Sequence, residues 1–220
     1  MKQRARAAKL GTELRQEQIA QAALNLVASQ GLKGLSVAGV ASQVGLVPSA
    51  IYRHFRSKGE VLNAVLNLIQ ARLLGNVAAV KKETPDPIER IRRLLFRHLQ
   101  LVQAYQAIPR ILFSDEVYSG HPERKAKLYA VIRAYLDQIE EIVREGQHQN
   151  RLRPDIAPET AAVMFMGLVA PSAILWHLSD GGFKVSRHAE RAWKIFSAAI
   201  RGPEKPAAVP GRAPRKGVTK

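Results

Sequence analysis

Apolar residues recur at spacings of three and four along every long segment of this chain, and no stretch shows the in-out alternation of a half-buried strand. Such a pattern lines one stripe of a helix, so the fold class it predicts is all-α, with about nine helices. Thr12 is placed to cap the first, with Ile19, Ala22, Ala23, Leu26 and Val27 on its inner face and Gly31 at its end. Ser36 can cap a short second helix that carries Val37, Val40 and Ala41 to about Val44. Gly45 then breaks the chain, and Pro48 suits the first turn of a third short helix, through Ile51 to about Phe55. Ser57 caps a long fourth helix with Val61, Leu62, Val65, Leu66, Ile69, Leu73 and Val77 inward.

Thr84-Pro85-Asp86-Pro87 stops that helix, because a proline cannot donate the N–H that a continuing helix needs, and it marks a seam in the chain. Beyond it a fifth helix repeats Ile88, Ile91, Leu95, His98, Val102 and Tyr105, Pro109 opens a short sixth, and Gly120 to Pro122 precedes a seventh with Leu128, Val131, Tyr135, Ile139 and Ile142 on one face. Residues 151–158 are expected to form a loop. An eighth helix, about Glu159 to Leu178, is apolar nearly all round, and a ninth, about Arg187 to Arg201, carries Trp193, Phe196 and Ile200.

The chain has 220 residues, no cysteine and a net charge of +16. Without thiols it can hold neither a disulfide framework, nor a thiolate zinc site, nor a cysteine nucleophile, and a reducing compartment fits best. No apolar run follows the basic N-terminus as in a secretory signal, so a cytoplasmic location is expected. The most apolar stretch, Ala161 to Trp176, is shorter than the roughly 18 to 20 residues of a membrane span and contains Pro171 and Ser172. The charge is concentrated at the ends: residues 1–15 hold five basic side chains against Glu13, and residues 201–220 hold six against Glu204. The second of these segments also has Pro203, Pro206, Pro210 and Pro214, a composition that favours a solvated, disordered tail.

Residues 36–56 combine two short helices with a tight turn at Gly45, which is the helix-turn-helix arrangement. On the second of the two, Ile51 and Phe55 lie one turn apart and can anchor it inward, while Ser49 and Arg53 share an outward face of the kind a major groove meets. Tyr52, Arg53, His54, Arg56 and Lys58 then cluster around its end. Cations neutralise phosphate, the hydroxyls of Ser36, Ser49 and Tyr52 can donate to phosphate oxygens, and helix N-termini present free N–H groups. Ser49 and Arg53 can hydrogen-bond base edges, whereas Pro48 and Ala50 offer apolar contact, for instance to a thymine methyl. The alternative is a plain three-helix bundle with a basic surface.

The run Ser36-Val37-Ala38-Gly39-Val40-Ala41-Ser42-Gln43-Val44-Gly45, followed by Ile51-Tyr52-Arg53-His54-Phe55 and Ser57-Lys58, resembles the TetR-family DNA-binding domain over about residues 12 to 65. The later helices match that family in number, length and order. The resemblance implies DNA contacts from Pro48, Ser49, Ala50, Tyr52, Arg53 and His54 and phosphate contacts from Ser36 and Lys58. Val47 stands where many members have Ser or Thr as a cap, and Gly59 replaces a common Glu. The missing cap costs about 1 kcal/mol. The resemblance also implies a homodimer through the last two helices, including Trp193, Phe196 and Ile200. Two recognition helices then lie about 34 to 36 Å apart on a palindromic operator.

The expected organisation is therefore a flexible basic arm at 1–11, a helix-turn-helix domain at 12–56, a regulatory and dimerisation domain at 57–201 and a disordered basic tail at 202–220. The arm's Arg4 and Arg6 could enter a minor groove or track phosphate, with functionless disorder as the alternative. In the larger domain, Phe96, His98, Gln103, Phe113, Tyr135, Phe165 and Trp176 are candidates to line a pocket for a small-molecule effector; the competing assignment is ordinary core. Asp115, Glu116 and His121 sit near a Ser-Gly-His-Pro turn, where capping and solvated charge compete with a loop-borne metal, and no metal or cofactor is expected. HExxH, Walker and GxSxG signatures are absent, so no enzyme is expected. The function these features predict is a ligand-responsive DNA-binding regulator, a repressor by family habit, released by a small molecule. The alternatives are a DNA binder without an effector, or a helical protein that binds a small molecule or metal.

Overall fold

A computed structural model describes residues 2–105, 107–112, 114 and 121–202, with the side chains of residues 2–10 and Leu112 left out. Among the described residues there are nine helices: α1 (Lys2–Gln30), α2 (Val37–Gln43), α3 (Pro48–Tyr52), α4 (Lys58–Glu83), α5 (Pro87–Ala104), α6 (Ala107–Leu112), α7 (Pro122–His148), α8 (Pro158–Leu178) and α9 (Val185–Ile200). The only extended pairing among them is an isolated antiparallel bridge between Leu152 and Arg201, which ties the end of α9 to the loop after α7.

Most boundaries fall where local chemistry puts them. Ser36 and Ser57 cap α2 and α4 by accepting from Gly39 N and Glu60 N, and Asp86 caps α5 by accepting from Ile88 N. Pro48, Pro87, Pro122 and Pro158 each occupy a first turn, where the missing N–H costs nothing. Gly31 follows α1 at φ +72, a left-handed conformation that favours glycine.

Three boundaries differ from expectation. Thr12 does not start α1: Lys, Gln, Arg, Ala and Leu before it are strong helix formers, and the helix runs through Gly11 from Lys2, so the backbone of the expected arm is helical. α3 ends at Tyr52, although His54 N and Phe55 N both still donate to Ile51 O. α6 begins at Ala107, with Pro109 within its first turn. α8 covers the expected span and continues through Pro171, where Ser172 Oγ donates to Leu168 O at 2.8 Å. α4 and α8 are both long and apolar enough to cross a membrane by length and composition, although each packs against other helices of this fold.

α4 is the element common to both halves. Its first half packs on α1 around Ile19, Ala23, Leu62, Val65 and Leu66, and the rest lies beside α5 and α7 with Leu73, Val77 and Val80 buried. α7 runs parallel to it: Arg124 lies against Gly59 at one end, and Lys81 reaches Glu141 (2.6 Å) and Gln138 (3.2 Å) at the other. The larger core, between α5, α7, α8 and α9, is built on Ile91, Leu95, Tyr135, Ile139, Phe165 and Phe196.

Candidate nucleic-acid interface

The turn between α2 and α3 is specified in detail by the sequence. Leu46 N donates to Ala41 O at 2.9 Å and Gly45 N to Ser42 O at 3.3 Å, which closes α2 in a Schellman motif with Gly45 at φ +66. Any side chain at Gly45 would have to hold a left-handed backbone. At Gly39 the demand is for space: a Cβ there would lie 2.9 Å from Leu26 Cδ2, so glycine lets α2 settle on α1.

α3 is a short helix held from one side. Ile51 is fully buried and Phe55 is 7% exposed, both packed in the core that α1 and α4 share, while Ser49, Tyr52 and Arg53 project into solvent. Tyr52 is 54% exposed, so its ring and hydroxyl are both open to a partner. Pro48 is exposed at the start of the helix, and Ala50 and His54 are half-buried at its margins. Val47, in the N-cap position, makes no side-chain cap bond, which leaves the first N–H groups of α3 without a side-chain acceptor from this residue.

The N-terminus of α4 adjoins this face. Ser57 Oγ accepts from Glu60 N, and Glu60 in turn accepts from Arg56 N at 2.7 Å, a reciprocal arrangement akin to a capping box. Lys58 is exposed and its Nζ also donates to Leu32 O at 3.4 Å, linking α4 to the loop after α1. Ser36 is exposed too, its hydroxyl already capping α2. Arg124, in the first turn of α7, adds a cation to this end that no sequence signal pointed to: a Cβ on Gly59 would lie 2.8 Å from its Nη2. Glycine at position 59 leaves room for this guanidinium against α4.

Of the described residues expected to line an effector pocket, only some come together. His98 and Tyr135 do meet, as a buried pair with Nδ1 and the phenol oxygen 3.1 Å apart and the rings edge to face at 5.1 Å. Burial pushes the His98 imidazole down to about 4 and the Tyr135 phenol up, so both are neutral near pH 7. Phe165 is fully buried in the same region. Phe96, however, is half-buried under Arg92 beside an open groove of about 340 Å³ that Arg93, Arg97 and Glu190 also line. Trp176 is half-buried near Gly181, and Gln103 is exposed on α5 and off its apolar stripe. Phe113, Asp115 and Glu116 lie outside the described residues; His121 pairs with Glu123 at 3.3 Å.

Trp193, Phe196 and Ile200 require a correction. All three are buried within the chain itself, packed toward α5 and α8, and cannot form a surface between copies. The single apolar stripe of α9 is spent on its own core. Exposed apolar surface lies elsewhere on the same two helices: Val163, Met164, Leu175 and Leu178 on α8, and Ile195, 76% exposed, on α9.

Comparison with known proteins accounts for this architecture. Residues 19–65 match the family model of bacterial regulatory proteins, tetR family, and residues 84–200 match the tetracyclin repressor-like C-terminal domain. The nucleoid occlusion factor SlmA of Vibrio vulnificus is 24% identical over 188 residues, 85% of this chain and 96% of that protein. Among solved structures, the fatty acid degradation regulator FadR of Bacillus halodurans superimposes with a TM-score of 0.74 at 20% identity, over 86% of this chain and 97% of that one. FadR of Bacillus subtilis, solved with stearoyl-CoA, gives 0.73 at 19% identity over 83% and 98%. With both halves of the chain matched and the fold shared with solved regulators, the protein belongs to the TetR family of bacterial transcriptional regulators.

Proposed function

We propose that the protein is a homodimeric repressor that binds a palindromic operator through α3 and is released by a small molecule bound in the regulatory domain. The observation that carries this is the two-sidedness of α3: Ile51 and Phe55 are buried beneath it, and Ser49, Tyr52 and Arg53 stand outward. In this reading Arg53 and Ser49 meet base edges, Pro48 and Ala50 lie against them, Tyr52 and His54 flank them, and Ser36 and Lys58 hold phosphates. Residues 31–60 contain Lys33, Arg53, Arg56 and Lys58 against the one carboxylate of Glu60, which suits a polyanion.

Dimerisation is assigned to the exposed stripe on α8 and to Ile195, with Gly167 between Met164 and Pro171 allowing close helix approach. The effector is assigned to the core between α5, α7 and α8, where an apolar molecule with one polar group would exchange hydrogen bonds with His98 and Tyr135. Division of the chain near residues 56 and 57, a location in the cell interior and the lack of a catalytic role follow from the same reading. A second reading, a DNA-binding factor without an effector, is favoured by the likeness to SlmA over most of the chain.

Selection of bound duplexes from a random library tests the proposal. Enrichment of a two-fold symmetric site is expected, and Arg53→Ala should weaken binding to it by about 1 to 3 kcal/mol while leaving random DNA less affected. Equal affinity for random and selected duplexes refutes it. Ile195→Glu, at a site with no packing to lose, should yield monomers by light scattering; an unchanged dimer would mean that the face is wrongly assigned.

A further inference from the structure

The helix-turn-helix end is joined to the regulatory domain by more than α4. α6 lies against α1, with Ala107, Ile108 and Ile111 buried, and from it Arg110 Nη1 donates to Ala28 O at 2.8 Å. Ala28 is in the last turn of α1, where carbonyls have no partner within the helix; Val27 O is taken by Gly31 N, and Ala28 O is served by Arg110. A guanidinium at that position also meets the negative end of the helix dipole. Seven residues earlier on α1, Gln21 Oε1 accepts from Arg72 Nη2 of α4 at 2.7 Å, and the Arg72 guanidinium stacks 4.6 Å from the ring centroid of Tyr105. Tyr105 closes α5, and its carbonyl accepts from Ile108 N to start α6.

These contacts form one mechanical connection. His98, Val102 and Tyr105 fall on the same side of α5, so the core that holds the His98 to Tyr135 pair ends against Arg72 and α6. Arg72 and α6 both grip α1, and α1 carries α2 through the close seat of Gly39 on Leu26. The attitude of α3 to the body of the protein, and so its distance from α3 of a partner copy, depends on where α6 holds α1.

We propose that Arg110 is a positioning residue for operator binding: by capping α1 from the regulatory domain it sets the spacing at which the two recognition helices present themselves. The inference rests on the dimeric, palindrome-binding reading above. Breaking the bond leaves α3 and its side chains intact and frees α1 to tilt, so the loss appears as relaxed spacing rather than as weaker contact with each half-site.

The test uses the full chain and its Arg110→Ala and Arg110→Lys variants. Each is titrated against the selected palindrome, against the same half-sites with one base pair added or removed between them, and against a single half-site; unfolding midpoints are recorded alongside. Arg110→Ala is expected to lose affinity for the palindrome by about tenfold, within the usual range for coupling between sites, and to bring the altered spacings close to it. Half-site binding stays as before, and Arg110→Lys, which can donate to the same carbonyl, restores most of the preference. Arg72→Met, which keeps apolar contact with Tyr105 and loses the bond to Gln21, relaxes spacing in the same sense. An unchanged spacing preference in Arg110→Ala overturns the inference, as does an equal loss on every duplex with a lowered midpoint, since that is a stability effect. If the unmodified chain prefers no palindrome, the underlying reading has failed and this inference fails with it.

Discussion

His98 makes the stability of this fold depend on pH in a way that can be worked out in advance. Its ring is buried and hydrogen-bonded to Tyr135, and burial holds its folded pKa near 4 against an ordinary value of 6.5. The unfolded chain therefore takes up a proton at this residue between pH 6.5 and 4 while the folded chain does not, so stability falls as pH falls through that window and levels off below it. For that shift, the fall is about 2 kcal/mol from pH 7 to pH 5 and about 3 kcal/mol by pH 4. His98→Gln isolates it, because the amide can face the Tyr135 hydroxyl and does not titrate. Urea unfolding of both proteins at pH 7, 6 and 5, followed by far-ultraviolet circular dichroism, should show the unmodified chain losing about 2 kcal/mol more than the variant over that range. Parallel pH profiles, or a His98 imidazole titrating near 6.5 by NMR, would refute the reasoning.

Two further perturbations probe the DNA-binding end. Gly45→Ala forces a side chain into φ +66 and should cost about 1 to 2 kcal/mol in unfolding free energy, with specific DNA binding reduced because α3 loses its attitude to α2. Gly59→Ala puts a Cβ 2.8 Å from Arg124 Nη2, the flexible end of a long side chain, so the guanidinium should move aside and stability should change by no more than about 1 kcal/mol. A larger loss in the thermal midpoint would show that the seat of Arg124 on α4 is structural.

What was legible in the sequence was what short-range chemistry decides. Ser36, Ser57 and the prolines at 48, 87 and 122 mark helix starts because capping and the missing proline N–H act within one turn. The inward pair Ile51 and Phe55 followed from the 3.6-residue period, and so did the outward side of Arg53. Thr12 misled because an eligible cap residue does not end a run of strong helix formers. Trp193, Phe196 and Ile200 misled for a different reason. A period identifies the apolar stripe of α9 but cannot say whether its own chain or a second copy covers it, and here its own chain does. The seat of Arg124 on Gly59 and the bond from Arg110 to Ala28 join residues more than sixty positions apart and have no local signature.

The distribution of charge gives these contacts a direction. Residues 84–200 hold sixteen basic and thirteen acidic side chains, and much of that charge is used in pairs such as Arg144 with Glu140 and Glu159, Arg151 with Asp86 and Arg153 with Asp155. Residues 1–83 hold twelve basic against four acidic. The regulatory half is thus nearly balanced, and the half that contains α3 carries the excess. At physiological salt, exposed charges are screened beyond about 8 Å, so this asymmetry cannot draw DNA from afar. It acts at close approach, where it favours the encounter that brings the helix-turn-helix end to the phosphates first and disfavours the rest. Net charge therefore supplies orientation at this surface, and discrimination among sequences is left to the few groups that α3 holds outward.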